Sequence, residues 1–246
     1  MPHESTIDEL SLFNDITAHA SALWDKSRDA TGRSDDPKMF SIMLFKRLWS
    51  NHRGYIILWN SNLQTESDIV LRSGIEASIC LAANYELRDK FVQLMHGDAI
   101  FTLKGQIKMW RDEGSLDMVS QSEAVLRDVQ SRFRGDTKPT RLNWKSLAEQ
   151  GKVPDLYGWH RMLSGLSSHV TGASVLTAVA PADGPNPAAE LGPLQRKMHL
   201  MMMAGATLQG CLRHGGMLDD EPALTETVAL LTRLGDVSWK WPGVGY

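Results

Sequence analysis

Apolar residues recur three and four positions apart along almost the whole chain, and no stretch alternates apolar with polar long enough to make a convincing strand. That spacing restricts the chain to an all-α fold, because only a helix of 3.6 residues per turn gathers such positions onto one buried face. Leu10, Leu12, Phe13, Ile16, Ala20 and Leu23 define a first helix, closed before the polar Ser34-Asp35-Asp36. Pro37 opens a second, through Phe40, Met43, Leu44, Leu48, Ile56 and Trp59, with a bend expected near Gly54. Further helices are expected over about 66–84, 87–110 with an interruption at Gly97, 116–133, 144–150, 154–170, 194–217 and 221–234. Asn143 caps the short one, and Gly151 ends it. The expectation is one irregular bundle of seven to nine helices over 1–246, with a Pro/Gly-rich loop at 171–193 and an aromatic tail at 235–246.

With 246 residues, the chain is long enough for a packed core, and its formal charge of −3 gives no general attraction to nucleic acid or anionic membrane. Cys80 and Cys211 each fall in an apolar-periodic segment, which suits buried free thiols in a reducing, cytoplasmic compartment. The opening residues lack the basic start and apolar run of a signal peptide, and no apolar run spans a bilayer. Phosphate-binding loops, dinucleotide fingerprints, His-Glu-x-x-His and Gly-x-Ser-x-Gly are missing, and no glutamate stands three residues before a histidine as a di-iron bundle requires. No cofactor and no metal are expected. Asp15 with His19, and Cys211 with His214, are one-turn pairs that read as ordinary polar contacts. Arg47 and His52 have the spacing of a HEPN nuclease motif, but chance alone supplies such a pair in a chain of this composition.

The segment 155–170 carries the densest polar pattern. On a helix, Tyr157, Arg161, Ser164 and Ser168 form one stripe, Trp159, Leu163, Leu166 and Val170 a second, and Gly158, Gly165 and His169 a third. Its natural partner is the third helix, where Arg72 and Glu76 stand one turn apart on a small, apolar face. A buried unpaired charge costs several kcal/mol, so Arg72, Glu76, Tyr157, Ser164 and His169 are expected to converge into one polar cluster. Glu76 would orient the His169 imidazole, and Arg72 would hold the carboxylate.

The pattern Arg72-Ser-Gly-Ile-Glu76, followed by Leu156-Tyr157 and Leu163-Ser164 leading to Ser168-His169-Val170, resembles a bacterial all-helical domain-of-unknown-function family with Arg-x-x-x-Glu and Tyr…Leu-Ser…His motifs. The resemblance covers about 40–215 and implies a helical bundle without established chemistry, distantly HEPN-like in layout. The separation of Arg161 from His169 lies outside the HEPN spacing.

Two further features bear on partners. Arg127, Arg132, Arg134, Lys138, Arg141 and Lys145 oppose only Asp128 and Asp136, and Phe133 and Trp144 are interleaved, as in a surface that binds phosphates and stacks bases. Arg132, Arg134, Lys138, Arg141 and Trp144 are the candidate nucleic-acid contacts; a solvated helix end would look the same. Met198, Met201, Met202 and Leu208 share a helix with Ala206 and Gly210, reading first as core and otherwise as the wall of a small apolar ligand pocket or a homodimer seam. The functional expectation is a ligand- or partner-binding helical module with a structural polar cluster. The alternative is a HEPN-like, metal-independent ribonuclease of defence or toxin type, with His169 as general acid or base and Arg72 or Arg161 stabilising phosphate charge.

Overall fold

A computed structural model describes residues 7–33, 35–134, 138–166 and 187–238. Among them are nine helices and no strand: α1 Ile7–Ser27, α2 Pro37–Asn60, α3 Gln64–Leu87, α4 Asp89–Asp112, α5 Leu116–Arg132, α6 Trp144–Gln150, α7 Pro154–Leu166, α8 Pro187–Leu218 and α9 Glu221–Ser238. The all-α expectation holds. None of the helices described is long and apolar enough to cross a membrane.

Helix α3 is the axis of the bundle. It packs against α2, α4, α6, α7 and α8, and every residue from Ala77 to Asn84 is buried. Small side chains at Ala77, Ser78, Cys80, Ala82 and Ala83 let neighbours approach on all sides, while Leu71, Ile75, Ile79 and Leu81 fill the space between. Asn84 Nδ2 donates to the Pro37 carbonyl at 2.8 Å, pinning the start of α2 to the end of α3. The second long helix, α8, closes the core from the other side against α1, α2, α3 and α9. Met201, Met202 and Leu208 are buried there, so these residues serve the chain's own core. Gly210 is the tightest point: a Cβ would lie 2.1 Å from Leu48 Cδ2 and 3.2 Å from Leu81 Cδ1.

Both cysteines are buried and free. Burial pushes the Cys80 thiol up to about 12 and raises that of Cys211 as well, so neither thiol is a nucleophile at neutral pH. Two histidines are built into the core by one scheme. His52 stacks on Phe13 and Trp49 with its ring nitrogens 2.8 Å from Thr17 and Thr207 Oγ1, and His214 stacks on Phe45 between Ser27 and Ser41, at 2.7 and 2.8 Å. Thr17 and Ser27 already donate their hydroxyl protons to the Phe13 and Leu23 carbonyls. Each therefore accepts from an imidazole Nε2–H, which fixes both rings as the neutral Nε2–H tautomer. Burial holds His52 down at about 4 and His214 at about 3.

Several boundaries differ from expectation. Helix α2 runs unbroken through Gly54 and α4 through Gly97, because packing outweighs the propensity cost of one glycine, about 1 kcal/mol. Helix α8 starts at Pro187 rather than 194: Pro187 takes the first helical position and Ala188-Ala189-Glu190-Leu191 are strong helix formers. The remainder of the expected loop, from 171 to 186, the last four residues of the expected seventh helix, 167–170, and the tail from 239 onward lie outside the described residues. Gly151 does end α6, but with φ of −76°, while Lys152 takes the left-handed position at +59°. Glycine is needed at 151 for another reason: a Cβ there would sit 2.9 Å from Ala82 Cβ and 2.9 Å from the Ala83 backbone nitrogen.

Candidate functional site

That close approach seats α6 on α3 and brings α7 alongside. Asn143 caps α6 as expected, its side chain accepting from the Ser146 N–H at 3.0 Å, so Trp144 is the first helical residue and projects toward α7. On α7, Tyr157, His160 and Ser164 fall on one face at i, i+3 and i+7. From α3, Arg72 and Glu76 meet that face.

The histidine at the centre is His160. Its Nε2 lies 3.0 Å from Glu76 Oε1, and Arg72 Nη2 reaches the same carboxylate oxygen at 3.3 Å. Arg72 Nε stands 3.4 Å from His160 Nε2, but the shorter carboxylate contact decides the tautomer: Nε2–H donates to Glu76. The Tyr157 ring lies nearly parallel to the imidazole, 20° between planes at 6.2 Å, and Trp144 approaches it at 5.5 Å. His160 is 6% exposed, and its Nδ1 is buried without a hydrogen-bond partner. The Ser164 hydroxyl donates to the His160 carbonyl at 2.7 Å and does not reach the ring.

Of the residues expected to converge, Arg72, Glu76 and Tyr157 gather around His160, and Ser164 bonds the backbone beside it. His169, assigned as the central imidazole and as general acid or base, lies outside the described residues. His160 is not among the residues expected from sequence, although it falls three residues after Tyr157 and four before Ser164, an i, i+3, i+7 spacing that signals it.

Above the cluster the surface is concave, with a volume of about 470 Å³ between the 141–145 segment and α7. Arg141, Lys145 and the exposed Arg161 line it with Trp144, Tyr157 and His160, and among the described residues no carboxylate lines it. Glu76, just beneath, is already paired with Arg72 and His160. The basic stretch read from the sequence divides on folding. Arg132 binds Asp128 at 2.9 Å, Lys145 stands 3.8 Å from Glu149, and Phe133 packs over Gly97, where a Cβ would meet it at 3.5 Å. Arg134 is exposed and its backbone N–H donates to Gln93 at 2.6 Å. Lys138 and Arg141 line a second concavity of about 140 Å³, and Arg141 lies over the Phe101 ring at 5.4 Å.

A second buried polar group escaped the sequence reading altogether. Asp68 accepts from the His199 Nδ1–H at 2.6 Å and from Gln64 Nε2 at 2.9 Å; His199 Nε2 and the Tyr55 hydroxyl are buried without partners. The one-turn pairs separate: Asp15 binds Arg233 at 2.8 Å and His19 binds Thr227 at 2.8 Å, while His214 is held by two serines. Among the described residues no three His, Cys, Asp or Glu side chains are grouped to hold a metal ion.

No family model, curated protein or solved structure matches this chain. Fold and site define a class by themselves: an all-helical bundle that carries a basic, aromatic-walled concavity over a histidine–carboxylate–guanidinium cluster.

Proposed function

We propose that the protein is a non-catalytic, ligand-binding helical module, that its site is the concavity over His160, and that its ligand is an organic anion carrying a planar ring. The observation that carries this reading is the lining: Arg141, Lys145 and Arg161 beside Trp144 and Tyr157, with no acidic residue among the described lining residues. Cations that converge on a concave, low-dielectric wall raise the local concentration of anions, and the flanking rings supply apolar contact for a planar group. The cluster beneath is architectural. Glu76 engages the Nε2–H of His160, and the Nδ1 lone pair is buried. Calorimetric titration with aromatic carboxylates and nucleoside monophosphates tests this: saturable binding that Arg161→Ala weakens by about fivefold or more supports it, and no binding by any of them removes it.

The second reading is the HEPN-like RNA-acting enzyme, with His160 in the role given to His169. The observation favouring it is the same cationic lining beside an imidazole. Its test is RNA cleavage by wild type against His160→Ala: cleavage lost in the variant establishes the enzyme, and equal or absent cleavage leaves the binding module.

A further inference from the structure

The two concavities are neighbours. Arg141, Leu142 and Asn143 line both, so the ridge they form is the floor between one lobe at His160 and another at Gly97 and Phe133. The ridge is fastened on both sides: the Leu142 N–H donates to Asp98 Oδ1 at 2.9 Å, and Asn143 is the α6 cap. Along this path lie Arg161 and Lys145 in the first lobe, Arg141 on the ridge and Lys138 in the second. Among the described residues no aspartate or glutamate lines either lobe, in a chain with a formal charge of −3.

Resting on the ligand class proposed for the first lobe, we infer that the two lobes together form a track for single-stranded nucleic acid. A strand fits this arrangement as a lone anion does not. Its charges repeat, so Arg161, Arg141 and Lys138 each have a phosphate to meet, whereas one ring with one anionic group would occupy the first lobe and leave Lys138 unused. Its bases supply planar faces on both sides of the ridge: Trp144 and Tyr157 wall the first lobe, and Phe133 with Pro139 floors the second. The second lobe, at about 140 Å³, is close to the roughly 150 Å³ that holds a benzene ring, which matches a single pyrimidine. Duplexes are excluded because their bases are paired and stacked out of reach of both lobes.

Fluorescence anisotropy with labelled ten-residue oligouridylate and oligothymidylate, alongside calorimetry with uridine monophosphate and a ten-base-pair duplex, tests the track. The expected result is at least tenfold tighter binding of a ten-residue strand than of the mononucleotide or the duplex, steeply weakened by salt. Lys138→Ala and Arg161→Ala should each weaken strand binding about fivefold or more, and Lys138→Ala should leave the mononucleotide unaffected. Both positions are exposed, and circular dichroism of the variants checks that they fold. A strand that binds no tighter than the mononucleotide, or that ignores Lys138→Ala, overturns the track and leaves the first-lobe reading standing. Failure of both strand and mononucleotide to bind overturns the track, and the first-lobe reading falls with it when the aromatic carboxylates fail to bind as well.

Discussion

His160 joins α7 to α3 at the centre of the polar cluster. Its Nε2–H is directed at Glu76, its ring has Trp144 at 5.5 Å and Tyr157 at 6.2 Å, and its Nδ1 is buried. Removing it takes away a hydrogen bond to a charged group and the packing of two rings, so His160→Ala should cost about 2–4 kcal/mol in urea unfolding. Glu76→Gln keeps an oxygen to accept from His160 and loses only the ion pair with Arg72, whose side chains are 22% and 23% exposed, so its cost should be about 2 kcal/mol or less by the same measurement. A larger loss in the Gln variant than in the Ala variant would contradict this ordering. The sequence disclosed the Arg72–Glu76 pair because two charges one turn apart on an apolar face demand a partner. It did not disclose which imidazole answers, since that depends on how α7 is rotated against α3. The Asp68–His199 pair was hidden for a related reason: its members stand on different helices with no shared periodicity.

At the scale of elements, the site depends on how closely α6 lies against α3. Gly151 allows that contact, and an added methyl would meet backbone as well as the Ala82 side chain. Gly151→Ala should therefore destabilise the fold by about 1–3 kcal/mol and, by lifting α6, change the near-UV circular dichroism of the Trp144 and Tyr157 surroundings. Unchanged stability and spectrum would mean that α6 can retreat without disturbing the site. Most helices were legible because their apolar stripes, caps and breakers agree: Asp36 and Pro37 open α2, and Asn143 opens α6. The start of α8 was not, because prolines and glycines nearby suggested a loop while the intervening residues favour helix. The charge excess of 127–145 was equally legible, but its division into Arg132 bound to Asp128, and Lys138 and Arg141 in concavities, follows from tertiary packing.

Across the whole molecule, buried neutral histidines tie α1 to α2 and α8, which makes stability depend on pH. The unfolded chain protonates His52 and His214 near pH 6.5, whereas the native chain takes up those protons only at about 4 and about 3. The stability they allow is therefore complete above pH 6.5 and declines as pH falls through that window, by an amount on the order of 3 kcal/mol for His52 alone. Unfolding midpoints in urea at pH 7, 5 and 4 should fall in that order, and a flat profile would contradict the buried-neutral assignment. The net charge, meanwhile, conceals a surface whose local sign is opposite to the average. A ligand that enters beside Trp144 is reported by the indoles of the eight tryptophan side chains. In an indole ¹H–¹⁵N NMR titration with uridine monophosphate, the Trp144 resonance should shift saturably while that of core-buried Trp49 stays fixed. A titration that leaves Trp144 unmoved, or that moves only other indoles, would contradict the account.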